Sequence, residues 1–229
     1  MSLILNIESS SKICSVSLSE KGNLLYLKES DDKEYSHSRL LTLYIEDVFS
    51  KTGFKTSDLQ AVAVSKGPGS YTGLRIGVST AKGIAYSLGI PLISVGTLES
   101  MALRVSENYK EKDSLYCPML DARRMEVYCA LYDNRNQIIK EISADIITRN
   151  SFSEYLEKNK IIFFGDGASK CKEIIKHNNA FFLENINPSS KDMITYSYKS
   201  FINKEFEDIA YFEPFYLKDF IATVPKNKF

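Results

Sequence analysis

Short apolar runs alternating with turns open the chain. Leu3–Glu8, Ile13–Ser19 and Leu24–Glu29 are rich in Leu, Ile and Val, the middle run places its apolar residues at every second position, and Glu20-Lys21-Gly22-Asn23 separates the last two. A period of two broken by a glycine turn predicts an antiparallel meander of three strands. From Ser36 the period changes. Leu40, Leu41, Tyr44, Ile45, Val48 and Phe49 recur at helical spacing and Gly53 ends the run, which predicts a helix. A buried strand over Leu59–Ser65, a loop over Lys66–Tyr71 and a second helix from Thr72 to Leu88 follow, with Gly89 and Pro91 as the stop. Pro91–Val95 reads as another strand, and Thr97 as the cap of a further helix, its capping box completed by Glu99 or Ser100.

The pattern then repeats. Ser114–Leu120, Met125–Tyr132 and Gln137–Ile142 form a second predicted meander, joined by Asp121–Arg124 and Asp133–Asn136. Helices are expected near Ser151–Lys158, Ser169–His177 and from Ser190, with strands over Ile161–Gly165 and Phe181–Leu183. Two similar α/β halves follow from this, residues 1–105 and 106–229, joined through the polar run SENYKEKD, with the last helix or tail returning to the first half. A single α+β domain with a mixed sheet is the alternative.

Composition narrows the function classes. At 229 residues, 44% hydrophobic and 25% charged, the chain is an ordinary globular protein with enough material for a sizeable core. Lys and Arg total 29, as do Asp and Glu, so any contact with nucleic acid is local or borrowed from a partner. Cys14, Cys117, Cys129 and Cys171 stand far apart, which favours buried thiols in a reducing compartment over disulfides or a zinc ribbon. The start MSLILNIESSS has no basic leader, and Ile84–Val95 is interrupted by Ser87, Gly89, Pro91 and Ser94. The expected address is the cytoplasm, away from membranes.

Two turns carry candidate chemistry. Glu8 ends the first strand and is followed by Ser9, Ser10 and Ser11, a set able to hold a phosphate or its magnesium ion as well as to form a solvated hairpin. Gly67-Pro68-Gly69-Ser70 links a buried strand to a helix whose first N–H groups could receive an anion. Neither the P-loop nor the Rossmann spacing is present. Within the helix, Gly73, Gly77, Ala81 and Ala85 form a stripe of small residues beside Leu74 and Val78. Glycine inside a helix costs about 1 kcal/mol relative to alanine, so the stripe implies close approach to a neighbour, either the chain's own sheet or another subunit's helix. The two histidines, His37 and His177, have no helical partner for a metal, and no G-x-S-x-G elbow surrounds a serine. Asp121-Ala122-Arg123-Arg124 can bind an anion or pair within its own turn, and Gly165-Asp166-Gly167 is a bare turn or a trace of a nucleotide loop.

ILNIESSSKICSVSL, EYSHSRLL, the block from AVAVSKGPGSYTGLRIG to GTLESMA, DARRMEVYCALY and the tail EPFYLKDFIATVPK together resemble the bacterial TsaB (YeaZ) family. The resemblance implies the two-lobed fold of actin, Hsp70 and sugar kinases. It also implies a non-catalytic, cytoplasmic scaffold in the synthesis of threonylcarbamoyladenosine on transfer RNA. The implied partners are a catalytic TsaD-type paralogue and a TsaE-type ATPase, with only indirect contact with transfer RNA; for the isolated chain the sequence leaves homodimer and monomer open. ATP and metal are then expected in the partner subunits, with no cofactor required here. On this reading His37, Leu41, Tyr71, Gly73, Leu74, Arg75, Gly77, Val78, Ala81 and Ala85 form the partner interface. Glu8, Ser9, Ser10, Gly67, Gly69 and Ser70 are left as a vestigial phosphate site. Two positions depart from the family pattern: Glu8 stands where Asp is usual, and Met125 precedes Glu126 where Gly is common. An active ATPase or kinase of the same fold is the competing function, and it would need a second acidic phosphate motif.

Overall fold

The computed structural model describes residues 2–30, 37–109, 111 and 113–218. Two five-stranded mixed sheets form the frame. The first contains β1 (Leu3–Glu8), β2 (Cys14–Glu20), β3 (Asn23–Ser30), β4 (Ala61–Gly67) and β5 (Leu92–Gly96) in the order β3-β2-β1-β4-β5. The meander is antiparallel, whereas β4 and β5 run parallel to β1. The second contains β6 (Ser114–Asp121), β7 (Glu126–Tyr132), β8 (Ile138–Ile146), β9 (Lys160–Phe164) and β10 (Ala180–Phe182) in the order β10-β9-β6-β7-β8. Counted from its own first strand, each sheet has the same order and the same strand directions. The predicted duplication is therefore real, and the architecture is two lobes, each a meander with flanking helices.

Sequence alternation decides which face each helix covers. Leu3, Leu5 and Ile7 of β1 point to one face, where they pack with Leu40, Leu41, Tyr44 and Val48 of α1 (His37–Thr52) and Val78, Ala81 and Ala85 of α2 (Tyr71–Leu88). Ile4 points to the other, against Met193 and the half-buried Tyr196 and Phe201. In the second sheet α3 (Thr97–Tyr109) lays Leu98, Met101, Ala102 and Val105 on Tyr116, Leu120 and Phe164. The opposite face takes Leu156 of α4 (Ser153–Leu156) and Ala168 and Cys171 of α5 (Ala168–Cys171). All four cysteines are buried free thiols.

Two predicted helices prove shorter than their periodicity suggests. Ser169–His177 forms only the single turn α5, because after Cys171 the chain folds through successive turns to enter β10, with Ala180 N–H already bonded to His177 O. Ser151–Lys158 contracts to α4. The opening of the EYSHSRLL segment and the tail beyond Lys218 lie outside the described residues.

The C-terminal segment crosses back. A 3-10 turn at Ser190–Met193 leads into α6 (Ile194–Asn203), where Ser197 Oγ donates to Asn6 Oδ1 at 2.6 Å and the Ser190 amide donates to Ser15 Oγ at 3.0 Å. These are buried polar groups satisfied across a long sequence separation. Arg104 of α3 pairs with Asp192 at 3.2 Å, although burial still lifts the Asp192 carboxyl to about 6. Beyond α6 the chain runs as a strap. Glu207 N–H bonds Leu92 O at 2.9 Å, Lys82 Nζ donates to the carbonyls of Ala210 and Phe212, and Phe215 N–H bonds Lys66 O at 2.7 Å.

Candidate functional site

The central strand of each sheet ends in a carboxylate, and the carboxyl ends of parallel strands are where ligands settle in open α/β sheets. In the first lobe Glu8 ends β1. Its side chain is fully buried, Oε1 accepts from the Ser10 amide at 2.7 Å, and Oε2 has no hydrogen-bond partner among the described residues. Burial raises its pKa, an effect that the hydroxyl and amide of Ser10, the Ser65 hydroxyl and the Ser9 amide offset only in part.

The rest of the predicted phosphate set gathers around it. Ser9 Oγ donates to Gly73 O at 2.9 Å, Ser9 N–H reaches Ser65 Oγ at 3.5 Å, and Ser70 N–H donates to Ser10 O at 2.6 Å. Ser70 also caps α2, its hydroxyl accepting from Gly73 N–H at 3.3 Å. Glu8, Ser9, Ser10, Gly67, Gly69 and Ser70 are therefore brought together as one site. The site is closed by its own chain. The amides of Ser9, Ser10, Ser70 and Gly73 are bonded internally, and Ser9 and Ser10 are buried.

The glycines explain how. A Cβ on Gly69, Gly73 or Gly77 would fall inside 3.0 Å of Ser10 O, Ser9 O or Ser9 Oγ respectively. The small side chains let the first turns of α2 press directly onto the β1–β2 turn.

The residues expected at the partner interface fall into two groups. Leu41, Gly73, Leu74, Gly77, Val78, Ala81 and Ala85 are buried within this chain, the stripe facing β4 and the Ser9 turn. Small residues at helical spacing signal close approach but not whose surface is approached. Of the others, Arg75 is exposed and lies 5.2 Å over the Tyr71 ring, while Tyr71 is half-buried against Tyr216 at 4.8 Å between ring centres. Among the described residues no carboxylate pairs with Arg75, although its place near a helix N-terminus favours one. The His37 side chain lies outside the described residues.

In the second lobe Asp121 ends β6 and stays exposed. Lys170 Nζ reaches its Oδ1 at 2.5 Å and also donates to the carbonyls of Arg124 and Glu126, at 2.8 and 2.7 Å. Burial pushes the Asp121 carboxyl up, but the bonds from Lys170 and the Arg123 amide and the charges of Lys170 and Lys12 outweigh it, so its pKa is lowered. Asp166 Oδ1 accepts from the Asp121 amide at 2.9 Å, and burial raises its carboxyl. Gly165 and Gly67 share a positive φ, 107° and 106°, and each precedes a second glycine in close contact, Gly167 with the end of β6 and Gly69 with Ser10 of the β1–β2 turn. Lys170 and Lys12 were not singled out from the sequence, since nothing local marks a lysine that braces a distant hairpin. Among the described residues no three potential metal ligands converge, and no helix is long and apolar enough to cross a membrane.

Arg123 and Arg124 turn this hairpin with φ of 69° and 46°, a left-handed conformation that costs roughly 1–2 kcal/mol per non-glycine residue. The Arg123 amide bonds Asp121 Oδ1 at 3.0 Å and Glu126 N–H bonds Arg123 O at 3.1 Å. The missing glycine before Glu126 is thus absorbed by the arginines rather than by Met125.

Two lobes of one topology, the first with the turn after its central strand packed under its own helix, define a two-lobed α/β protein. The family model for TsaD, the tRNA N6-adenosine threonylcarbamoyltransferase, matches residues 32–226. The tRNA threonylcarbamoyladenosine biosynthesis protein TsaB of Buchnera aphidicola (from Acyrthosiphon pisum) is 32% identical over 88% of this chain and 91% of that one. TsaB of Bacillus subtilis is 33% identical over 67% of this chain, a match spanning just under two thirds of that protein, 64%. A Pseudomonas aeruginosa structure described as similar to peptidase YEAZ superposes with a TM-score of 0.82 at 22% identity, covering 95% of this chain and all of that one, and so shares the fold. The chain belongs to the TsaB family of tRNA threonylcarbamoyladenosine biosynthesis proteins.

Proposed function

We propose that this chain is a non-catalytic subunit that supports a TsaD-type paralogue in transferring threonylcarbamoyl to adenosine beside the anticodon of transfer RNA, in concert with a TsaE-type ATPase. The observation that carries the reading is the closure of the β1–β2 turn by Gly69, Gly73 and Gly77. A subunit whose phosphate ground is filled by its own helix contributes surfaces rather than chemistry, and nucleotide and metal belong to its partners. The match of a transferase model to most of the chain supports descent from a common ancestor with that paralogue.

The partner surface on this reading is the outer side of α1 and α2. Leu43 is 47% exposed and Tyr86 80% exposed, and Arg75, Ser79 and Gly83 share the open side of α2. Gly83 has nothing within 4 Å of a built Cβ, so packing inside this chain gives no reason for glycine there. Copurification tests the assignment. Leu43→Asp combined with Gly83→Arg should abolish association with the paralogue while leaving thermal unfolding within about 2 °C of the parent. Undiminished copurification of that variant would remove α1 and α2 as the interface.

A further inference from the structure

We propose that the hairpin between β6 and β7 is a contact for the phosphodiester backbone of RNA, made by Arg123 and Arg124; the identity of that RNA as the substrate transfer RNA rests on the reading above. Arg123 and Arg124 are exposed at a hairpin tip, and neither they nor Lys12 pair with a described carboxylate. The carboxylates nearby are engaged elsewhere: Asp121 with Lys170, and Glu126 with Lys218. Lys12 is exposed in the β1–β2 turn of the other lobe, and its charge lowers the pKa of Asp121 and opposes the rise at Asp166.

The hairpin is built to hold these side chains out. Lys170 braces its carbonyls from beneath, and the Asp121 side chain fixes the Arg123 amide. Two consecutive arginines keep a left-handed backbone that glycine would adopt without strain. The chain's balance of 29 basic and 29 acidic residues makes this a local concentration and not a reflection of general basicity. A convex, exposed tip offers no walls for a small nucleotide but suits a polymer whose unit charges lie along its surface, and guanidinium groups match phosphate oxygens in pairs. Such contacts position an RNA without reading its sequence. On this proposal the contact with transfer RNA is direct, where the sequence reading expected an indirect one.

The test is binding of an unmodified transfer-RNA transcript, measured over a range of salt concentrations with the chain alone and with its assembly. Arg123→Gly/Arg124→Gly removes the charges while relieving the backbone, and Arg123→Lys/Arg124→Lys keeps them. The glycine variant should bind roughly tenfold more weakly near physiological salt, with the slope of log K against log salt shallower by about 1.5–2, and should melt no lower than the parent. The lysine variant should retain most of the slope. Equal affinity and slope for the glycine variant, or no RNA binding by either preparation of the parent, would overturn the inference. Loss of the protein partner with RNA binding intact would overturn it too, by making the hairpin a protein contact. Arginine-dependent RNA binding by a chain that fails to associate with the paralogue would uphold the inference and sink the scaffold reading instead.

Discussion

Glu8 and Asp121 occupy the same place in two copies of one topology, the last residue of the central strand, yet their environments push them in opposite directions. Glu8 is sealed beneath α2 and its pKa rises with burial, whereas Asp121 is held by Lys170 on an open rim and its pKa falls. The difference lies in the helix that follows. In the first lobe an 18-residue helix with glycines at its start lies directly on the turn; in the second, α5 is a four-residue turn that holds the hairpin through Lys170 and leaves Asp121 exposed. One duplicated frame has thus become a closed, structural turn on one side and an exposed, charged one on the other.

The largest expected effect comes from reopening the first turn. Gly73→Ala drives a Cβ into the Ser9 carbonyl, an immovable backbone atom, and should cost about 3 kcal/mol, lowering the melting temperature by roughly 6–12 °C. Thermal unfolding measures it. An unchanged melting temperature would mean that the helix and turn are not in contact.

A pH series sharpens the contrast between the carboxylates. The Glu8 pKa is raised in the folded chain, so its contribution to stability is fully present below its ordinary 4.5 and is lost as pH rises through the folded value. Glu8→Gln should therefore stabilise the protein by about 1–2 kcal/mol at pH 7, with the advantage vanishing in acid. Asp121 has the reverse sign. Its contribution is present above its ordinary 3.8 and is lost as pH falls through the folded value, so Asp121→Asn should cost about 0.2–1 kcal/mol at pH 7, as its exposure allows. Denaturant titrations at several pH values check both, and equal signs for the two variants would break the comparison.

The smallest effect distinguishes two glycines of one helix. Gly83→Ala meets nothing and should raise the stability of the isolated chain by about 0.5–1 kcal/mol, in contrast to Gly73. A loss of stability would show that Gly83 serves packing within the chain.

Much of this was legible along the chain. Leu3–Glu8 appears with the predicted bounds, and the repeated meander with its closing strands is visible in the alternation, because each strand buries one or both faces and its side chains record that locally. Glu8–Ser10 and Gly67–Ser70 come together because they follow adjacent strands, β1 and β4. What their union does was hidden. The stripe from Gly73 to Ala85 looked like a subunit contact because spacing shows that something approaches, and only the fold shows that it is Ser9. Lys170 escaped notice for a related reason: its three acceptors lie more than forty positions away. The strap along α2 likewise leaves no periodic signal, its bonds being made by backbone carbonyls and amides.

The central claim is that the first lobe is closed to nucleotide. Titration calorimetry of the purified chain with ATP and magnesium addresses it without any partner. The account predicts no saturable heat up to millimolar nucleotide; one-to-one binding with a micromolar dissociation constant, lost on Gly69→Val, would contradict it.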